Sequence, residues 1–517
     1  MHSVFLSDSF STNEVGLFGR AIANRRLLKA LLLCDEIGRV YTTSPATLFS
    51  SLMLPGIAQA KLVQLTSLAE VDRVFADNQI QAVFCSDFIS HYPNWIHYRN
   101  IHGLNTAVFG FTHSLSYQRY TADIYHILCA RPAPNDGILC TSRCAEDVLE
   151  RLFARVAATL NRATRSPRLI RFPLPFEPDS ASSQTEKPKT DFQVLFVGRL
   201  DWQTKADLLV LKSVIPKIPK DLNIHFVVAG PADNEPYLQL VRQELGPLGV
   251  KIVVSASEEE KRRLYLESHV LFSPSDNYQE TFGLTVIEAM HFGCVPVVTD
   301  FDGYRDLVRD GVDGFRLKTV AARIPAGLFS AQSVVSEATY HGWWAAGVAF
   351  DPREAARLIV LLAQDEMLCA RMRSAAREAV FEYSLARSSS RFGSLVTQQS
   401  RLSDEALVEP QVAPNQNPFE WSYLELFATH PTEIWSNQSM ALTEEGANYL
   451  VAPFHLPQFM LLSQSIGVGD IRKLLFLIQR GHAVLDCLQR GVEPIVMSLA
   501  LKNGLVTITS CGSPPAP

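Results

Sequence analysis

The stretch SPSDNYQETFGLTVIEAMHFGCVPVVTD (residues 273–300) decides the reading of this chain. It leaves a strand-like run, His269–Ser275, crosses a polar loop, enters an apolar helix and returns to a β-branched run, Val295–Thr299. Glu280 falls in the loop, and Glu288 is expected about two turns into the helix. Between them, Phe282, Gly283 and Leu284 should open the helix with free backbone N–H groups, which favour an anion. Gly283 has no Cβ, so a ligand can approach the backbone closely. One loop thus offers two carboxylates for hydroxyls and a helix N-terminus for phosphate.

Working outward, short β-branched and aromatic runs alternate with helix-length segments. Strand candidates in the first half are Ser3–Ser7, Arg39–Thr43, Ala82–Cys85, Thr106–Thr112 and Gly137–Thr141. In the second half they are Val194–Gly198, Ile224–Ala229, Ile252–Ser255, Val270–Ser273 and Val295–Thr299. Near-continuous apolar runs suit parallel strands buried on both faces, and alternation with helices predicts two doubly wound, Rossmann-like α/β domains. The Pro-rich and then polar run FPLPFEPDSASSQTEKPKTD (172–191) divides them. This sets domains at 1–175 and 192–395 with a linker at 176–191 and a ligand cleft between the halves. Residues 319–350, with TYHGWWAAG (339–347), interrupt the second domain and are expected to form an irregular excursion. Ser142 is placed to N-cap a helix. From about 403 the composition changes: NQNPFEW (415–421) reads as a linker, 471–491 as helices, and 492–510 as helix, turn and strand. A small, mainly helical module at 403–517, of winged-helix type, is expected.

The run E-T-F-G-L-T-V-I-E, followed by A-M-H-F-G-C-V-P-V-V, resembles the E-x7-E signature of retaining glycosyltransferases of family 4, which have the GT-B fold. Thr281 stands where that family usually has glycine. FDGYRDLVRDGVDGFRL (301–317) also fits, with Asp306 where Glu is common. The resemblance covers about residues 1–395 and is strongest over 191–318. It implies that Arg199 and Lys205, in RLDWQTK after a strand, hold the donor diphosphate, although Ala206 replaces the usual glycine. Two fixed cations there would stabilise charge growing on the leaving group. By the same resemblance Glu280 contacts hydroxyls of the transferred sugar and Glu288 the ribose hydroxyls. The alternative for Glu288 is pairing with a nearby cation. The resemblance also implies that His113, ending TAVFGFTH, faces the donor sugar. It likewise implies that Gly16 and Gly19, in DSFSTNEVGLFGR (8–20), approach phosphates and acceptor.

The helix beginning at Arg20 sets Arg20, Arg25, Arg26 and Lys29 beside a Leu-rich face. That pattern suits a phosphorylated acceptor or an anionic membrane, or else a core helix with a solvated basic side. No D-x-D pair is placed to bind a metal near the donor loop. Metal-independent transfer without a cofactor is expected, the nucleotide sugar being a co-substrate. The acceptor is left as a glycan, a lipid-linked molecule or a small molecule. The 517 residues suffice for about two to four domains. Apolar residues make up 47 % and charged residues 19 %, as in a globular protein, and the net charge of −6 argues against nucleic acid as a partner. No apolar run reaches the roughly 20 residues of a membrane span. Nine scattered cysteines point to reduced thiols in a cytoplasmic setting, with peripheral contact at the inner membrane face left open. Two rivals stand beside transfer: a nucleotide-sugar epimerase, and a non-catalytic subunit acting through 403–517.

Overall fold

The computed structural model describes residues 1–7, 10, 19–44, 49, 52, 55–77, 80–160, 164–178, 187, 191–322, 334–402, 438–454 and 466–509. The chain divides into two compact units, Met1–Val63 with Gln79–Val412 and Gln64–Asn78 with Ala413–Pro517.

The first sheet contains β1 (His2–Leu6), β2 (Ile37–Thr42), β3 (Leu62–Gln64), β4 (Ile80–Cys85), β5 (Ala107–Phe111), β6 (Gly137–Cys140) and β7 (Arg168–Arg171), in the order β3-β2-β1-β4-β5-β6-β7. The second contains β8 (Phe192–Val197), β9 (Ile224–Gly230), β10 (Lys251–Val254), β11 (Val270–Ser273), β12 (Val295–Thr299) and β13 (Phe315–Leu317), in the order β10-β9-β8-β11-β12-β13. The pairings from β2 to β7 and across the second sheet are parallel. Every residue of β5, β6, β11 and β12 is buried, as their uninterrupted apolar runs require when helices cover both faces. These two doubly wound sheets make the GT-B fold. Strand order reverses between β1 and β4 and between β8 and β11, and loops at such switch points form ligand crevices.

The last helix of this unit, Leu385–Leu402, packs back on the first sheet. Phe392 is fully buried, with its ring 4.8 Å from Phe172 and 5.3 Å from Phe84, and Ser389 Oγ donates to Ala30 O at 2.7 Å. Ser142 N-caps helix Arg143–Ala157 by accepting from Ala145 N at 3.2 Å. The expected irregularity of 319–350 is corrected for its described part. Strand β14 (Thr319–Ala321) pairs antiparallel with β15 (Val348–Phe350), and Ser336 caps a helix, Glu337–Ala345. The position of Glu288 is also corrected. The helix begins at Leu284, so Glu288 lies little more than one turn in.

In the second unit, Ser67 caps helix Leu68–Ala76 through Glu70 N. Helices Glu444–Val451, Val468–Gln479, Val484–Gln489 and Pro494–Lys502 accompany an antiparallel pair, β16 (Ser439–Leu442) with β17 (Val506–Thr509). Tyr449, Leu474, Leu475, Met497 and Leu505 are buried in its core. The NQNPFEW run and most of the 176–191 linker lie outside the described residues. Among the described residues, no helix is long and apolar enough to cross a membrane, and no cysteine is in a disulfide.

Candidate active site

Both loops of the switch point in the second sheet carry residues singled out from the sequence. The loop after β8 is a compact turn built on Asp201. Its carboxylate accepts from Gln203 N at 3.1 Å and Thr204 Oγ1 at 2.7 Å, and its carbonyl accepts from Lys205 N at 3.0 Å. The loop after β11 interlocks with it. Asn277 Nδ2 donates to Gln203 O at 2.6 Å and Ser275 Oγ to Lys205 O at 3.2 Å. Arg199, half-buried, heads the first loop.

Lys205 Nζ pairs directly with the Glu280 carboxylate and donates to Tyr304 OH at 3.3 Å, and that hydroxyl lies 2.7 Å from Ser273 Oγ. Side-chain exposure is 12 % for Lys205 and 17 % for Glu280. Burial pulls the ammonium down, but Glu280 and Tyr304 outweigh it and hold Lys205 above its ordinary value. Burial and the Glu280 charge push Tyr304 up to about 12. The Lys205 cation and the neutral Tyr304 phenol thus coexist at neutral pH. Nearby, burial and the charge of Glu280 push Asp302 well above the carboxylate range. Asp300 points to other partners, Arg305 at 3.4 Å and Arg316 at 3.3 Å.

Gly283 caps the helix that follows, with φ at +108°. A Cβ there would lie 2.5 Å from the Tyr304 ring, so both backbone and space require glycine. Val286 and Ile287 donate to Gly283 O, so the helical ladder starts at Val286. The earlier amides of the first turn, Leu284 among them, have no helical acceptor. Phe282 is a core side chain, 4 % exposed and 5.9 Å from the Tyr383 ring, so any ligand contact there falls to its backbone. Glu288 is 8 % exposed and already solvated by the protein. Oε2 accepts from Lys261 at 2.9 Å and Tyr265 OH at 3.3 Å, and Oε1 from Arg26 at 3.4 Å.

From the first sheet, His113 follows β5, and its Nε2 lies 2.9 Å from Ser86 O. A carbonyl only accepts, so Nε2 carries the hydrogen and Nδ1 the lone pair. Burial lowers this imidazole to about 4, leaving it neutral at pH 7. Next to it, Ser114 Oγ donates to Gln279 O at 3.3 Å and Thr141 Oγ1 to Thr281 O at 3.4 Å. The His113 loop and the Glu280 loop are therefore in direct contact.

Gly16 lies outside the described residues, and Gly19 opens helix Gly19–Leu32; beyond its own helix and chain neighbours, no atom of the described residues comes within 4 Å of a Cβ position there. Of the four cations of that helix, Arg25 is exposed, whereas the other three reach carboxylates. Arg20 bonds Asp87 at 2.6 Å, Arg26 reaches Glu288, and Lys29 pairs with Glu177. Asp87, a buried carboxylate at this end of the first sheet, is a candidate that sequence reasoning did not single out. Although burial raises it, the Ser90 and Ile89 amides, the Ser90 hydroxyl and Arg20 hold it below its ordinary value. Its signal was a carboxylate just past the carboxyl end of β4, beside the first switch point.

Residues 179–324 match the family model of glycosyl transferases group 1. That span contains Arg199, Lys205, Glu280 and Glu288. An uncharacterized glycosyltransferase of Methanocaldococcus jannaschii is 30 % identical over 122 residues, 23 % of this chain and 30 % of that protein. A phosphatidyl-myo-inositol mannosyltransferase of Mycobacterium tuberculosis is 27 % identical over 139 residues, 26 % of this chain and 35 % of that protein. These matches span only about a third of the relatives' length. Among solved structures, a sucrose-phosphate synthase from Thermosynechococcus elongatus superimposes with a TM-score of 0.51 at 16 % identity, covering 78 % of this chain and all of that one. It shares the fold.

Proposed function

We propose that this protein transfers a sugar from a nucleotide-sugar donor to an acceptor, with retention of anomeric configuration. The observation that carries the reading is the convergence at one switch point of a cation loop (Arg199, Lys205), a carboxylate (Glu280) and an open helix N-terminus. Against them stands a neutral imidazole, His113, from the other sheet.

A diphosphate leaving group gains negative charge as its bond to the sugar breaks, and Lys205 and Arg199 are suited to meet that charge. Lys205 is neutralised by Glu280. Donor phosphate competes for the ammonium and releases Glu280 to accept from sugar hydroxyls. His113 offers Nδ1 as an acceptor, so a sugar hydroxyl donates to it. Retention by front-face attack, assisted by the leaving phosphate, fits a site in which no protein nucleophile is proposed. The reading assigns the acceptor to the first-sheet side, near His113, and leaves its class as glycan, lipid-linked or small molecule. It needs no metal.

The test screens purified protein against a panel of nucleotide sugars by thermal shift and by slow donor hydrolysis, beside Glu280→Ala. One donor should stabilise the wild type and turn over, and the variant should lose turnover. A wild type that neither binds nor turns over any donor would count against transfer and favour the non-catalytic reading.

A further inference from the structure

The described part of the 319–350 excursion stands apart from the main sheet, yet its helix, Glu337–Ala345, touches all three loops just assigned to the site. His341 is 4 % exposed. Its Nε2 lies 3.0 Å from Ser116 O, so that nitrogen carries the hydrogen. Its Nδ1 then accepts from Gln279 Nε2 at 2.7 Å. The ring edge packs on Tyr117 at 5.5 Å and 72°. Ser116 follows His113 by three residues and Gln279 immediately precedes Glu280. One residue further, a Cβ on Gly342 would lie 2.4 Å from the Trp202 indole, so glycine lets the helix rest on the turn between Arg199 and Lys205. Trp344 meets Tyr278 at 6.3 Å and 85°.

We propose that His341 is a positioning residue, which rests on the transferase reading above. It touches no reacting group. By using both ring nitrogens on loops from different sheets, it fixes Glu280 relative to His113, while Gly342 seats the same helix on the Lys205 turn. A misplacement of about 1 Å at reacting groups costs roughly 10²-fold in rate.

The test uses the full chain with His341→Phe, which keeps ring packing on Tyr117 but removes both hydrogen bonds. His341→Asn supplies an acceptor near the Nδ1 position. Amide hydrogen exchange, melting temperature and donor kinetics are measured together. In His341→Phe, exchange should quicken in 113–119 and 274–281 while β5 and β11 keep their protection. The kcat should fall on the order of 10- to 100-fold with donor KM within about twofold. His341→Asn should recover part of the loss. Unchanged exchange in both loops overturns the proposal, and so does a lowered melting temperature with kcat per folded molecule intact. If the wild type turns over no donor yet both loops loosen in His341→Phe, the tie between loops stands and the transferase reading falls.

Discussion

Substituting Lys205 by Met removes the cation that neutralises Glu280 and leaves that carboxylate beside Asp302, within a site of low exposure. Breaking a fully buried pair by deleting one partner costs about 3–5 kcal/mol, whereas exposed pairs contribute about 0–1 kcal/mol. At 12 % and 17 % side-chain exposure this pair lies near the buried end, so a loss of about 2–4 kcal/mol is expected. For a domain of this size that is roughly 4–16 °C in melting temperature. The double variant Lys205→Met/Glu280→Leu removes both charges and should recover most of the loss, because apolar groups of similar volume often replace buried pairs without penalty. Chemical denaturation of the four proteins of the cycle, with m-values compared, reads the coupling directly. Singles within about 0.5 kcal/mol of wild type, or a double variant as unstable as the sum of the singles, would show that Lys205 and Glu280 do not neutralise each other in solution. The donor-displacement step of the proposed mechanism would then lose its basis.

His113 titrates near 4 when folded and near 6.5 when unfolded. As pH falls from 6.5 to 4 the unfolded state binds a proton that the folded state refuses, so stability is lost across that window, about 3 kcal/mol in the limit. The free-energy difference between wild type and His113→Asn, followed by denaturation from pH 7 to 4, should shrink by that order; a pH-independent difference contradicts the neutral, half-buried imidazole. Comparison with the variant isolates this group from His126, also lowered to about 4, and from Asp276, raised to about 7, both by burial. Gly283→Ala forces a methyl toward Tyr304 at positive φ and should cost about 1–3 kcal/mol as well as donor turnover. A Gly283→Ala protein with wild-type melting and turnover would refute the tight fit of the helix start.

Much of this was legible because parallel strands buried on both faces are apolar throughout: β5, β6, β11 and β12 announce themselves. The edge strand β7, RLIR with every residue half-buried, and the three-residue strands β3, β13, β14 and β15 carry no such signal. The run 273–300 drew attention to Glu280, Gly283 and Glu288. Their partners were not legible, because Lys205–Glu280 spans 75 positions and Arg26–Glu288 spans 262. Glycine as the helix cap brought Glu288 nearer the helix start than expected. Helix Glu337–Ala345 was hidden by its own composition, since Gly342 reads as a helix breaker until Trp202 is seen against it.

The most direct test of the account is turnover of one nucleotide sugar by wild type against Glu280→Ala and Lys205→Ala, followed by the anomeric configuration of the released or transferred sugar. The account predicts one preferred donor, a loss on the order of 10²-fold or more in each variant, and a product with the donor's configuration. Equal turnover in all three proteins, or a product of inverted configuration, would contradict it.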